Sequence, residues 1–554
     1  MKPYLEHLLR QAAAAACQKN MLASQSLPAI HLEEPRAEAH GDFSTNFALA
    51  AAGIQKMPPR KVAEAIVANL ADPEARIAKV AVAGPGFINF HIKPMAWAQA
   101  LGPIHAAGPV YGSCDLGQGA KVQVEFVSSN PTGPLHVGHG RGAAVGDSMA
   151  RILAFCGFAV QKEYYVNDSG RQIQTLGRSV YLRYRQLFRQ AVDFPQDCYQ
   201  GDYIRDYAGQ IKQIYGDNLL GRDPDEATAI CARHTAAAIT EQMRNDLIDF
   251  GVVFDRWFSE QSLYDSGAVD KISAELKQRG LIYENQGALW FKSTDFGDEK
   301  DRVVVRANGQ TTYFASDIAY HHDKFNRGFD QVIDVWGADH HGYIPRVAAA
   351  VEALGWGKQR FHVILVQLVN LLRAGQPVAM STRAGEFVTL RQVFEEVGTD
   401  AARFLFLTRS ADSALDFDLD LAKQKTNDNP VYYVQYVHAR ITSMLAKAAD
   451  RGWGDSQWAD VDLGALDSPD DVRLVKALTR FPAAVAQSAA QREPHRIAYY
   501  LMDLAAGFHA YYNRHQVLSE DDRLTRARLC LATAVRQVIA NGLALLGVSA
   551  PEKM

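Results

Sequence analysis

Between Val122 and Val127 the chain runs Val-Gln-Val-Glu-Phe-Val, a β-branched and aromatic pattern that predicts a buried strand. A Pro/Gly-rich loop follows, and from Arg141 to Phe155 apolar positions recur at helical spacing. Val160-Gln-Lys-Glu-Tyr-Tyr-Val-Asn-Asp then reads as a second strand. Strand, helix, strand in this order is the unit of a parallel sheet, so the fold class is α/β, and ligands of such sheets bind beyond the carboxyl ends of the strands. Strands resume at Arg302-Val-Val-Val-Arg, Gln331-Val-Ile-Asp-Val-Trp and His362-Val-Ile-Leu-Val. The charged, helix-patterned residues 180–290 between them, for example Leu182-Arg-Tyr-Arg-Gln-Leu-Phe-Arg, read as an insertion that splits the sheet in sequence.

On either side the pattern changes. The first hundred residues combine an amphipathic start, a helix around Lys61 to Leu70 and a strand from Gly86 to Lys93, which predicts a small α/β unit. The glycines and prolines from Leu101 to Gly112 mark its end near residue 110. After Ala411-Asp-Ser-Ala-Leu-Asp-Phe-Asp-Leu-Asp the chain is helical to its end. Asn429 is a good N-cap and Pro430 a good first residue for a helix whose apolar stripe is Val434, Val437, Ile441 and Leu445. Tyr433, Tyr436 and Arg440 fall on a neighbouring face, and Tyr511-Tyr-Asn-Arg-His is a later aromatic and basic cluster. The expected division is 1–110, 111–420 and 421–554.

Composition narrows the class without naming a function. At 554 residues the chain exceeds one hydrophobic core, and its 48% apolar and 22% charged content is that of an ordinary folded protein. Six scattered cysteines with no Cys-x-x-Cys pair point to a reducing compartment. Glu6, His7 and Arg10 interrupt any signal-peptide core, and no apolar run reaches the length of a membrane span. A soluble, cytoplasmic protein is expected. The net charge of −4 neither demands nor excludes a nucleic-acid partner, because phosphate is bound by a local basic face.

Chemistry enters at His136-Val-Gly-His139, which opens the helix after the first strand. Unpaired backbone N–H groups at a helix start attract phosphate, and imidazole N–H groups one turn apart can reach the same oxygens. With 17 His and 41 Gly in the chain, His-x-Gly-His arises by chance in roughly 4 of 100 such sequences, so the strand–loop–helix context is what gives it weight. A zinc reading lacks a third nearby ligand.

In this setting the chain resembles a class I aminoacyl-tRNA synthetase, of the bacterial arginyl type. His136-Val-Gly-His139 stands at the first signature of that class, and Val378-Ala-Met-Ser-Thr-Arg-Ala-Gly-Glu-Phe-Val-Thr-Leu390 resembles the second. Val124-Glu-Phe-Val-Ser-Ser-Asn-Pro, Phe254-Asp-Arg-Trp-Phe-Ser-Glu, Thr312-Tyr-Phe-Ala-Ser-Asp, Gly337-Ala-Asp-His-His-Gly-Tyr and Asn429-Pro-Val-Tyr-Tyr-Val-Gln-Tyr-Val-His-Ala-Arg440 resemble arginine-type segments. The resemblance implies a Rossmann-like catalytic domain with a helical insertion, an N-terminal tRNA-binding domain and a C-terminal all-α anticodon-binding domain. It implies activation of arginine by ATP with Mg²⁺, transfer to the terminal adenosine of tRNA(Arg), no tightly bound cofactor, and a monomer.

By that resemblance His136, Gly138, His139 and Gly140 serve the ATP phosphates, joined by Met380, Ser381 and Arg383 of the second loop. That loop has Ala379 and Thr382 where the family's usual pattern has lysines, and Gly133 offers no substitute, so Arg383 is expected to supply the positive charge. Glu260, Tyr313 and Asp317 are expected around the guanidinium, with Asn130 and either Asp339 or His341 near the α-amino end. Tyr313 and Asp317, four apart, share a face on a helical turn. Glu125 either serves this site or ends a strand. For tRNA, Phe87 and Asn89 correspond to D-loop contacts, although Phe87 could equally be core; Tyr433, Tyr436, Tyr511 and Asn513 correspond to the anticodon side, although tyrosines at helical spacing are often packing residues. Other readings are a different adenylyl-transferring class I enzyme, a metal-dependent phosphoesterase suggested by Asp339-His-His, and a silent RNA-binding relative.

Overall fold

The computed structural model describes residues 1–35, 37–378, 388–453 and 458–554. The chain folds into two compact units, one made of Met1–Gly108, Met444–Thr479 and Gly507–Gln537, the other of Pro109–Ser443, Arg480–Ala506 and Val538–Met554. In the first unit an antiparallel sheet is ordered Phe43–Thr45, Phe87–Ile92, Ile77–Ala83. The alanine-rich helix Lys2–Gln18 buries Leu5, Leu8, Leu9, Ala12, Ala13 and Ala16, so the alanine run is a packing face. Among the described residues no helix is long and apolar enough to cross a membrane.

The second unit holds a five-stranded sheet whose strands all run parallel. Numbered in sequence, Lys121–Glu125, Ala159–Val166, Arg256–Ser259, Gln331–Gly337 and Phe361–Val366 lie in the spatial order 3-2-1-4-5. This doubly wound order leaves a crevice where the first and fourth strands part company. Two expectations need correction. Arg302–Val305 is not in this sheet; it pairs antiparallel with Ala288–Phe291, which pairs with Ile282–Asn285. A β-branched run declares a strand but not its partner, and a short connection favours an antiparallel neighbour. Residues 180–290 are also not wholly inserted, since Arg256–Ser259 returns to the sheet beside Ala159–Val166. Its four residues carry too little periodicity to stand out after the long helix Pro224–Asp249.

The helix Val137–Phe155 follows the first strand and packs tightly on it: a Cβ at Gly146 would lie 2.2 Å from the Phe126 ring. Fully buried Asp147 on this helix accepts from Arg403 at 2.6 Å, Arg151 at 2.7 Å and Lys162 at 3.0 Å. Arg403 also donates to the carbonyl of Leu546 at 3.1 Å.

The helix Tyr313–Asn326 meets the sheet through charge. Lys324, fully buried, lies 2.7 Å from Asp334 and 2.5 Å from Glu125, which are register partners on the fourth and first strands. Burial works against the Lys324 charge, but Asp334 and Glu125 outweigh it and raise its pKa. One turn on, Arg327 donates to Glu163 at 2.6 and 2.9 Å, and the Tyr320 hydroxyl donates to the same carboxylate at 2.7 Å. Removing one member of a buried ion pair leaves an uncompensated charge, so Lys324→Met should lower unfolding stability by about 3–5 kcal/mol. Urea denaturation measures this, and a loss below about 1 kcal/mol would show that the layer is not held by charge.

Candidate active site

A cleft of about 500 Å³ opens at the carboxyl ends of the first and fourth strands. Glu125, Asn130, Glu260, Tyr313 and Asp317 line it together with Tyr165, His321, Asp334, His340 and Tyr343. The backbone entering it is strained: Val127 and Ser128 have φ of +69° and +42°, left-handed values that cost of order 1–3 kcal/mol each outside glycine. Ser128 is fixed there from several directions. Its hydroxyl donates to Glu125 at 2.8 Å and accepts from the Tyr165 N–H at 3.1 Å, while its carbonyl accepts from Asn167 at 3.1 Å. Left-handed backbone held in place by polar contacts is a feature of functional clefts.

Two carboxylates stand out by what they lack. Glu163 has Arg327, and Glu125 and Asp334 share Lys324, but neither Asp317 nor Glu260 has a cation among the ion pairs of the described residues. Asp317, four residues into its helix, accepts from the Tyr343 hydroxyl, and desolvation still pushes it up to about 6. Glu260 is buried, accepts from Ser316 at 3.0 Å, and has its other oxygen without a hydrogen-bond partner; burial raises its pKa as well. Two desolvated carboxyls facing one cleft form a seat for a cation with several donors.

His136 is the N-cap of the helix Val137–Phe155. The Gly138 N–H donates to His136 Nδ1 at 3.1 Å, and the His136 N–H donates to His139 Nδ1 at 3.2 Å. The rings stack with centroids 3.7 Å apart. Because each Nδ1 accepts, each ring carries its proton on Nε2, which makes Nε2–H the donor. Burial lowers the pKa of His136; burial and then the His136 ring push His139 down to about 3. These are neutral donors, not cations. His136 also forms an antiparallel bridge with Thr389, and Leu390 donates to the Leu135 carbonyl at 2.8 Å. The two segments read from sequence as halves of a nucleotide site are thus joined by backbone. A Cβ at Gly140 would lie 2.5 Å from Leu390, so glycine is needed for this approach. Arg141, fully buried, donates to the carbonyls of Gln367, Ser410 and Ser413 at 2.8–2.9 Å. Met380, Ser381 and Arg383 lie outside the described residues, as do Ala379 and Thr382.

The remaining sequence-derived residues divide. Tyr313 stands on the rim, 56% exposed. Asn130 donates to Gln172 inside the cleft. Asp339 and His341 do not line it; both are exposed, whereas Gly337, His340 and Tyr343 do. The cause is the 3₁₀ turn Ala338–Tyr343, whose three-residue period puts positions 337, 340 and 343 on one side. Glu125, left open by sequence, both ends its strand and lines the cleft. In the first unit Phe87 is 39% exposed while Asn89 is buried and accepts from Ser44 at 2.7 Å. Tyr511 is buried and donates to Asp471 at 2.7 Å, a packing role, and Asn513 is exposed. In the second unit Tyr433 and Tyr436 are both part-exposed; Tyr436 stacks on Tyr432 at 5.6 Å, and the Arg440 guanidinium lies 4.4 Å from the Tyr436 ring.

Sequence reasoning missed Lys324, Tyr343 and His340. The charged residue at helical spacing from Asp317 was visible, but its partners lie on strands distant in sequence.

The chain matches three family models: the class I (R) tRNA synthetase catalytic domain over 109–418, the arginyl tRNA synthetase N-terminal domain over 4–92, and the DALR anticodon binding domain over 434–554. It is 62% identical to an arginine–tRNA ligase from Desulfosudis oleivorans and 53% identical to one from Citrifermentans bemidjiense, covering 100% of each chain and of its own length. Its fold is similar to that of a Thermus thermophilus arginyl-tRNA synthetase, with a TM-score of 0.74 at 24% identity, covering 99% of this chain and 100% of that one.

The proton placement at the signature histidines is testable by ¹⁵N resonance. The His139 ring should keep the neutral, Nε2-protonated pattern from about pH 8 down to about pH 5. An imidazolium pattern at pH 6 would contradict it.

Proposed function

This chain belongs to the arginine–tRNA ligases of the class I aminoacyl-tRNA synthetase family, and we propose that the cleft described above is where it recognises and activates arginine. The enzyme joins arginine to tRNA(Arg) at the expense of ATP. The observation that carries the site assignment is the pair of desolvated carboxyls, half-buried Asp317 and buried Glu260, which have no cation among the ion pairs of the described residues.

A guanidinium has donors in a fixed planar fork and no acceptor, so it pairs with two carboxylates that a single ammonium would leave partly unmet. Lysine is thereby rejected through unsatisfied buried acceptors. Tyr313 covers the rim, and Asn130 with His340 serves the α-amino end in place of Asp339 or His341. In the first step the arginine carboxylate, already ionised, attacks the α-phosphate and pyrophosphate leaves. The Nε2–H groups of His136 and His139 meet the charge that accumulates on the phosphate oxygens, each contributing about 2.7–4 kcal/mol. Gly138 lets the nucleotide approach the backbone, whereas Gly140 is buried and its missing side chain makes room for Leu390, not for the nucleotide. Mg²⁺ enters with ATP as its counter-ion. In the second step the terminal ribose hydroxyl takes the arginyl group and AMP leaves.

Arg383, with Met380 and Ser381, holds the β- and γ-phosphates in place of the missing lysines. Phe87 is assigned to a splayed D-loop base, with Asn89 fixing the strand behind it. Tyr436, Tyr433 and Asn513 are assigned to the anticodon side, while Tyr511 packs within its own unit against Asp471. The domain roles follow 1–110, 111–420 and 421–554, and the enzyme works as a cytoplasmic monomer.

Incubation with tRNA, ATP and each amino acid in turn should charge arginine alone; charging of another amino acid, or of none, overturns the reading. Asp317→Asn should raise the arginine KM by orders of magnitude and leave the ATP KM in place. A carboxyl held near 6 must ionise to pair with a guanidinium, so arginine KM should also climb as pH falls through that value. Arg383→Ala should slow arginyl-adenylate formation, and a wild-type rate of pyrophosphate exchange would remove Arg383 from the site.

A further inference from the structure

The Tyr343 hydroxyl donates to Asp317 Oδ2 from the 3₁₀ turn that closes one side of the cleft. Its ring is braced. Phe314 packs edge-on at 6.3 Å, Trp336 at 6.1 Å, and the Arg346 guanidinium sits 4.5 Å over its face. A ring clamped by these neighbours delivers its O–H along a fixed direction. It occupies one oxygen of the carboxylate and leaves the other for a ligand.

We propose that Tyr343 is a positioning residue whose O–H, seated on one oxygen of the Asp317 carboxylate, keeps that group an anion whose second oxygen, with Glu260, meets the two sides of an arginine guanidinium. This rests on the assignment of Asp317 to the guanidinium. The groups facing Asp317 come from every wall of the cleft: Tyr343 from the turn, His321 from the same helix, Glu260 from beyond the third strand, Glu125 from the first strand and Tyr165 from the second. Burial, Glu260 and Glu125 disfavour its charge; the Tyr343 hydrogen bond and His321 favour it. Tyr343 itself stays neutral, because burial and the adjoining carboxylate raise its pKa, so it remains a donor at any working pH. Loss of this O–H therefore acts through the protonation of Asp317, and its effect should vanish where Asp317 is ionised without help.

The test is the arginine KM of the full chain as a function of pH, read by ATP–pyrophosphate exchange with tRNA present, for wild type, Tyr343→Phe, Asp317→Asn and the double variant. For Tyr343→Phe the KM-against-pH midpoint should move from near 6 upward by about one pH unit, which makes KM about fivefold higher than wild type at pH 6 and equal to it by about pH 8.5. Its kcat and ATP KM should stay at wild-type values. In the Asp317→Asn background the second change should add no pH dependence. Arginine-induced protection against heat gives the same profile without turnover, should the variant be sluggish. A KM raised by one constant factor at all pH values, or a midpoint that does not move, overturns the role of Tyr343 while a raised KM in Asp317→Asn leaves the pocket standing. An unchanged KM in Asp317→Asn overturns the pocket itself.

Discussion

The catalytic unit depends on a layer of buried charge between one helix and its sheet. Helix-on-sheet contacts are usually apolar, yet here Lys324 of Tyr313–Asn326 and Arg327 at its C-cap face Glu125, Asp334 and Glu163. In a low-dielectric interior each of those carboxylates must find a cation or give up its charge. Glu125 and Asp334 stand side by side only in one register of the first and fourth strands. A slip by one residue would turn one of them away from Lys324. Such pairs add little net stability compared with well-packed apolar residues; their value here lies in specifying one arrangement. The same helix then carries Asp317 to the cleft, so the ligand-facing carboxyl inherits its position from the layer beneath it.

Charge is arranged differently at the histidine pair, to which the proposed function assigns the nucleotide. The stacked histidines cap their own helix through Nδ1, which determines where their protons sit before any phosphate arrives. A neutral donor can follow negative charge as it grows on an oxygen without first being drawn into a permanent ion pair with ground-state ATP. Preorganisation of this kind favours the transition state over uniform binding. In the proposed reaction the cleft and the helix start thus divide the work, with carboxylates to meet a cation at one and uncharged donors to meet an anion at the other.

Much of this was legible in sequence because it is local. The strand from Val122, the helix after His139 and the proximity of Tyr313 to Asp317 all follow from period and spacing. What was hidden is what depends on distant partners. The four-residue strand Arg256–Ser259 has meaning only beside Ala159–Val166, and Lys324 takes its role from Glu125 and Asp334, which reach it from strands distant in sequence. Asp339-His-His drew attention as a run, but the 3₁₀ turn sorts such a run by threes and selects His340 and Tyr343.

Asp147 has a consequence for how such a chain can change over generations. One carboxylate answers to Arg151 on its own helix, Lys162 on the next strand and Arg403 far along the sequence, and Arg403 in turn grips the Leu546 carbonyl. Asp147 and these cations compensate one another, so a change at one leaves the rest of the cluster out of balance. A chimaera spliced between two divergent relatives anywhere from Lys162 to Arg403 would set Asp147, Arg151 and Lys162 of one parent against residue 403 of the other, and would preserve the cluster only where that residue is again a cation.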